Sequence, residues 1–90
     1  MVTFTDTEIQ IAAQITALAT PDRWNSLTDL RPHLSRWTRQ EQDSALRKME
    51  RLEDVNLVPE SNQKTLTPAD RDAAVWIGEQ AKHLLWIAAQ

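Results

Sequence analysis

The chain of 90 residues contains no cysteine, no tyrosine and a single glycine. Without cysteine there is no disulfide, no thiolate nucleophile and no Cys-based zinc site. With Gly78 alone, few positions suit the backbone turns that cradle phosphate. There is no run of about eighteen apolar residues to span a bilayer, and no charged segment followed by an apolar stretch to act as a secretion signal. The expectation is a soluble, cytoplasmic protein. Residues 1–90 form one domain, large enough for a single core but too small to add a catalytic lobe. Four Trp and one Phe are the aromatic anchors of that core.

Charge is what the chain distributes unevenly. The net charge is −3, yet Arg23 to Arg51 holds seven Lys/Arg against four Asp/Glu, a local +3, and the remainder holds three against nine, a local −6. An acidic chain carries a basic middle, and local potential rather than net charge attracts phosphate.

Periodicity orders the elements. Thr5 and Glu8 make a capping box that opens a first helix over about Asp6 to Ala19, ended by Pro21, with Ile11, Ala12, Ile15, Leu18 and Ala19 on its inner face. A short extended piece at Trp24 to Ser26 precedes a second helix carrying Leu27, Leu30 and Leu34, which Pro32 requires to be brief or bent. Ser35, Arg36 and Trp37 form a turn, and Thr38 with Glu41 caps a third helix. Its apolar arc, about 120° wide in projection, is Ala45, Leu46, Met49 and Leu52, and the opposite arc is Gln40, Ser44, Arg47 and Arg51. One side packs and the other faces water, the profile of a recognition helix.

Beyond Leu52 the period shortens. Val55, Leu57 and Val58, the polar cluster Glu60 to Gln63, and Lys64 to Thr67 read as a β-hairpin. Thr67, Pro68 and Asp70 then open a further helix, with Ala69, Ala73, Trp76 and Ile77 on its inner face. The tail has two readings. With Gly78 as a C-cap, His83 to Ala88 form a strand that joins the sheet, the favoured reading; otherwise the helix runs on to the end through Gln80, Leu84 and Ile87. In either form Leu85 or Trp86 faces away from the core, which predicts self-association through the C-terminal segment.

Chemistry-bearing clusters are scarce. His33 and His83 lie far apart with no partner at ligand spacing, so no metal or other cofactor is expected. Ser35 beside His33 has no orienting acid. Asp70 and Asp72 point to different sides of a first turn, where the helix dipole accounts for them. Enzyme activity is not expected.

Helix, short strand, short helix, tight turn, capped helix and hairpin: over nearly the whole chain this order resembles the winged helix-turn-helix superfamily. The stretch Lys64-Thr65-Leu66-Thr67-Pro68-Ala69-Asp70-Arg71 is similar to the exit from the wing in small bacterial regulators of the MarR and PadR type. The resemblance implies an α+β fold, a three-helix core with a hairpin wing and a further C-terminal helix or strand. It also implies a third helix, about 39–52, lying in the major groove of double-stranded DNA, and a wing touching the neighbouring backbone or minor groove. Gln40, Ser44, Arg47 and Arg51 then meet the groove, with Arg47 and Arg51 suited to guanine and Gln40 to adenine. Arg36 in the turn and Arg39 and Lys48 on the helix are further candidate phosphate or base contacts, and Asn62, Gln63 and Lys64 serve the wing. The expected function is sequence-specific DNA binding in transcription regulation, by a homodimer. The alternative is a winged-helix module that docks another protein through its Trp-bearing surface and binds no DNA.

Overall fold

A computed structural model describes residues 2–89. Three capped helices hold the chain to its local plan. Helix α1 (Asp6–Leu18) and helix α3 (Arg39–Met49) both open on complete capping boxes, Thr5 with Glu8 and Thr38 with Glu41. Helix α4 (Pro68–Ala73) opens on a third, Thr67 with Asp70, with Pro68 in the first turn where a missing N–H costs nothing. Helix α2 is a single turn (Leu27–Leu30) capped by Ser26, and it tightens into a 3₁₀ segment (Arg31–Leu34) at Pro32, the short element that this proline demanded.

The strands assemble from distant parts of the chain. β1 (Asn25–Ser26), β2 (Val55–Val58) and β5 (Leu84–Ile87) form an antiparallel sheet in the order β1-β5-β2. Val55 lies opposite Ile87 and Leu57 opposite Leu85, all four buried, while the alternate pairs Asn56 with Trp86 and Val58 with Leu84 make the outer face. β3 (Val75–Ile77) and β4 (Gln80–Lys82) form a separate hairpin. Gly78 sits at the first of its two turn positions with φ +63°, the conformation that a type II′ turn reserves for glycine.

Between α1 and β1 the chain reverses at Asp22, whose φ of 58° is accompanied by a hydrogen bond from its N–H to the Ile87 carbonyl. Asn25 fastens this loop, donating from Nδ2 to the carbonyls of Thr20 and Arg23 and accepting the Thr20 N–H. Ile11 and Ile15 of α1, Leu27 and Leu30 of α2, Leu46 and Met49 of α3 and the inner face of the sheet meet in one core. No helix among the described residues is long and apolar enough to cross a membrane.

Three expectations are corrected. β2 pairs with β5 and not with Lys64 to Thr67, so the hairpin of residues 55–67 does not form. Instead the Asn62 side chain accepts the Lys64 N–H and the Asn62 carbonyl accepts the Thr65 N–H and hydroxyl, winding Gln63–Thr65 into a 3₁₀ turn. Trp76 and Ile77 do not lie on a helix, because α4 ends at Ala73 and Ala74 is extended. Leu52 leaves the inner arc of α3, whose last turn closes by a hydrogen bond from the Leu52 N–H to the Met49 carbonyl, and the residue is 38% exposed. The tail adopts the strand reading, with the His83 and Ala88 N–H groups donating to Val58 and Asp54 on either side of β5.

Candidate nucleic-acid interface

The basic middle of the chain divides into cations that the fold consumes and cations that it leaves to solvent. Arg31 belongs to the first group. Its Nη2 pairs with Asp43 at 2.7 Å, its Nη1 donates to Gln42 Oε1 at 3.0 Å and its Nε donates to the Ala73 carbonyl at 2.6 Å. Burial pushes its pKa below the usual arginine range, against the pull of Asp43. Gln42, itself buried, donates from Nε2 to the carbonyls of Leu34 and Trp37, both at 3.0 Å. The turn ahead of α3, which has no glycine, is therefore held by a glutamine from the helix it introduces.

Lys48 and Ser44 face α1. Lys48 Nζ lies 2.6 Å from Glu8 Oε1, and Ser44 Oγ donates to Glu8 Oε2. The Lys48 ammonium first, then the Ser44 hydroxyl and the Thr5 N–H, lower the Glu8 pKa to about 2 against the opposing effect of desolvation. Glu8 thus closes a capping box and neutralises one edge of the basic face. Its capping role is readable from Thr5-x-x-Glu8; its reach to α3 has no local signal.

The opposite edge of α3 meets β3. Arg39 pairs with Asp43 at 3.1 Å and donates from Nη2 to the Ala74 carbonyl at 2.7 Å. Arg47 donates from Nε to the Trp76 carbonyl at 2.9 Å. Among the described residues no other group bonds the Arg47 side chain, so both of its terminal amino groups remain available. Gln40 and Arg51 are exposed, Arg51 just past the end of α3. Arg36 is exposed with its guanidinium 4.8 Å from the centre of the Trp37 ring.

The residues assigned to a wing stand apart from that ridge. Asn62, Gln63 and Lys64 are exposed on the connection between β2 and β5, and Gln63 donates from Nε2 to the Glu60 carbonyl. Gln63 borders a groove that Trp76 of the β3–β4 hairpin also lines. Trp76, 59% exposed, is the groove residue that sequence reasoning had put on the inner face of a helix. Its signal was the two-residue period around Gly78: Val75 is buried and Trp76 exposed, as alternation in a strand requires.

No family profile, curated protein or solved structure matches the chain.

Proposed function

We propose that the chain is a winged-helix domain that binds double-stranded DNA through the outer face of α3, in the role of a transcriptional regulator. One observation carries the reading. Arg47 is oriented by a carbonyl, which fixes its guanidinium without cancelling the charge, and it lies on the solvent face between Gln40 and Arg51. A guanidinium held through Nε keeps its terminal N–H groups for a bidentate partner such as the O6 and N7 edge of guanine.

The order α1, β1, α2, α3, β2, β5 supports the finer fold, with the connection from Pro59 to His83 standing where a wing stands in such domains. On this reading the direct contacts are Gln40, Arg47 and Arg51, while Arg39, Ser44 and Lys48 position the helix. Arg36 and Lys64, both exposed, are the phosphate contacts of this reading. Few cations take part, so the salt dependence is modest: with about three phosphates neutralised per protomer, log K falls with log salt at a slope of about −3.

The test is selection from a random duplex library, followed by titration of the enriched duplex at two salt concentrations. Enrichment of a sequence together with that slope supports the reading, and undetectable duplex binding at low salt ends it.

A second reading, a protein-docking module, is favoured by the outer face of the sheet. Trp24, 49% exposed, meets Trp86 edge-on with ring centres 5.0 Å apart, beside Val58 and Asn56. A second copy of the chain is the simplest occupant, and sedimentation of the wild type beside Trp24→Ser tests it. A monomer at high micromolar concentration removes the homodimer from both readings.

A further inference from the structure

A groove of about 380 Å³ opens beside the β3–β4 hairpin, within the size range of small-ligand sites. Its apolar walls are the Trp76 indole, Leu66, Pro59 and Ala81. Arg71 is its charged residue, exposed and without an ion pair among the described residues, and no carboxylate lines the groove.

His83 supplies the second polar group. It is only 7% exposed, and its Nδ1 accepts the Glu60 N–H at 3.1 Å. An accepting Nδ1 carries no hydrogen, so the ring's hydrogen is on Nε2. Among the described residues nothing accepts that hydrogen, and no fully buried side-chain nitrogen or oxygen lacks a partner. Nε2–H is therefore a donor reached from the groove that His83 lines.

A flat aromatic wall, an inward N–H donor and a cation in a groove that no carboxylate lines match a planar heterocycle bearing acceptor atoms and joined to an anion. We propose that this groove takes one unpaired nucleotide of a nucleic acid, its base stacked on Trp76 and accepting from His83 Nε2–H, its phosphate on Arg71. The choice of a strand over a peptide rests on the DNA reading above, because Trp76 both lines the groove and accepts from Arg47 at its carbonyl, so the two sites share a residue. A base stacks on an indole whatever its sequence, so the groove adds affinity for an open strand without reading it.

The full chain is titrated with a blunt duplex and with the same duplex carrying a short single-stranded extension, for wild type, Trp76→Ala and Arg71→Gln. Trp76 is exposed and accepts from Arg47 through its backbone carbonyl alone, so Trp76→Ala keeps the α3 face; the three remaining indole N–H signals in the NMR spectrum check the fold. The extension should raise wild-type affinity about tenfold, the scale of one base stacked on an aromatic ring. Both substitutions should remove that gain and leave blunt-duplex affinity within about twofold of wild type.

Deoxyadenosine monophosphate and inorganic phosphate, followed through the Trp76 indole signal, separate a free nucleotide from a strand. Equal wild-type affinity for blunt and extended duplexes overturns the proposal and leaves the duplex reading standing. Binding of the extended strand with no blunt-duplex binding does the reverse, supporting the groove and ending the duplex reading. Saturation by the free nucleotide with no gain from an extension, or no response of Trp76 to strand or nucleotide, overturns the strand proposal.

Discussion

Arg47 donates from Nε to the backbone carbonyl of Trp76, joining the exposed face of α3 to the edge of β3. The bond follows from the hairpin. With Ile77 opposite Gln80 next to a two-residue turn, residues 75 and 77 point their backbone groups at β4, and the carbonyls of Ala74 and Trp76 point the other way. An open strand edge presents unpaired acceptors; here Arg39 takes the first and Arg47 the second. On the other flank of α3, Glu8 takes Lys48. Arg47 is thus oriented by a neutral carbonyl, whereas Lys48 on the other flank is neutralised by a carboxylate and Arg39 is paired with Asp43 as well.

The core prediction concerns Leu46, which is fully buried on α3 in the cluster that holds Ile11 and Ile15. Leu46→Ala removes a well-packed side chain and should cost about 2–5 kcal/mol of stability. Urea denaturation reads this directly. Leu52→Ala, at an exposed site, should change the midpoint far less, which checks where the α3 arc ends.

Glu8 predicts a pH dependence with a definite sign. Its folded pKa is depressed from 4.5 to about 2, so its contribution to stability is complete above pH 4.5 and is lost as pH falls towards 2. Glu8→Gln removes this part of the acid transition. Denaturation midpoints measured across that window should fall less steeply in the variant than in the wild type. Parallel profiles would mean that the Lys48 pair does not persist in solution.

The three helix starts were legible because a capping box is local: Thr5 with Glu8, Thr38 with Glu41 and Thr67 with Asp70 each lie within one turn. Pro32 likewise announced a short α2. The partner of β2 was not legible, since Lys64 to Thr67 is nearer in the chain and has strand-like alternation, while the Asn62 side chain winds that segment into a turn. Choosing Leu84 to Ile87 instead requires the register that buries Leu57 against Leu85, a tertiary fact. At the candidate site, the exposure of Gln40, Arg47 and Arg51 was readable from the helical projection. The engagement of Lys48, Ser44 and Arg39 was not, because Glu8 and Ala74 come from elements far away in sequence. Arg31 counted towards the basic middle, yet it serves the fold.

Gln42 predicts a structural cost without a change of surface. Gln42→Ala leaves the carbonyls of Leu34 and Trp37 without their side-chain donor and deprives Arg31 of one acceptor. The expected loss is about 1–3 kcal/mol. Amide hydrogen exchange should quicken at Trp37, whose N–H donates to Leu34 within the same turn. A stability loss with unchanged exchange there would place the effect elsewhere.

Arg47 carries the functional prediction. Arg47→Ala removes an exposed side chain whose bond to protein is to the Trp76 carbonyl, so the thermal midpoint should move little. If the guanidinium reads a guanine, the loss on the preferred duplex is about 1–3 kcal/mol and discrimination relaxes at one base pair. If it contacts phosphate, all duplexes weaken alike and the salt slope shrinks by about one. Arg47→Lys separates the two, since an ammonium retains the charge but not the planar bidentate fork: it should preserve a phosphate contact and fail to restore base discrimination. Unchanged affinity in both variants, alongside measurable wild-type binding, would remove Arg47 from the interface.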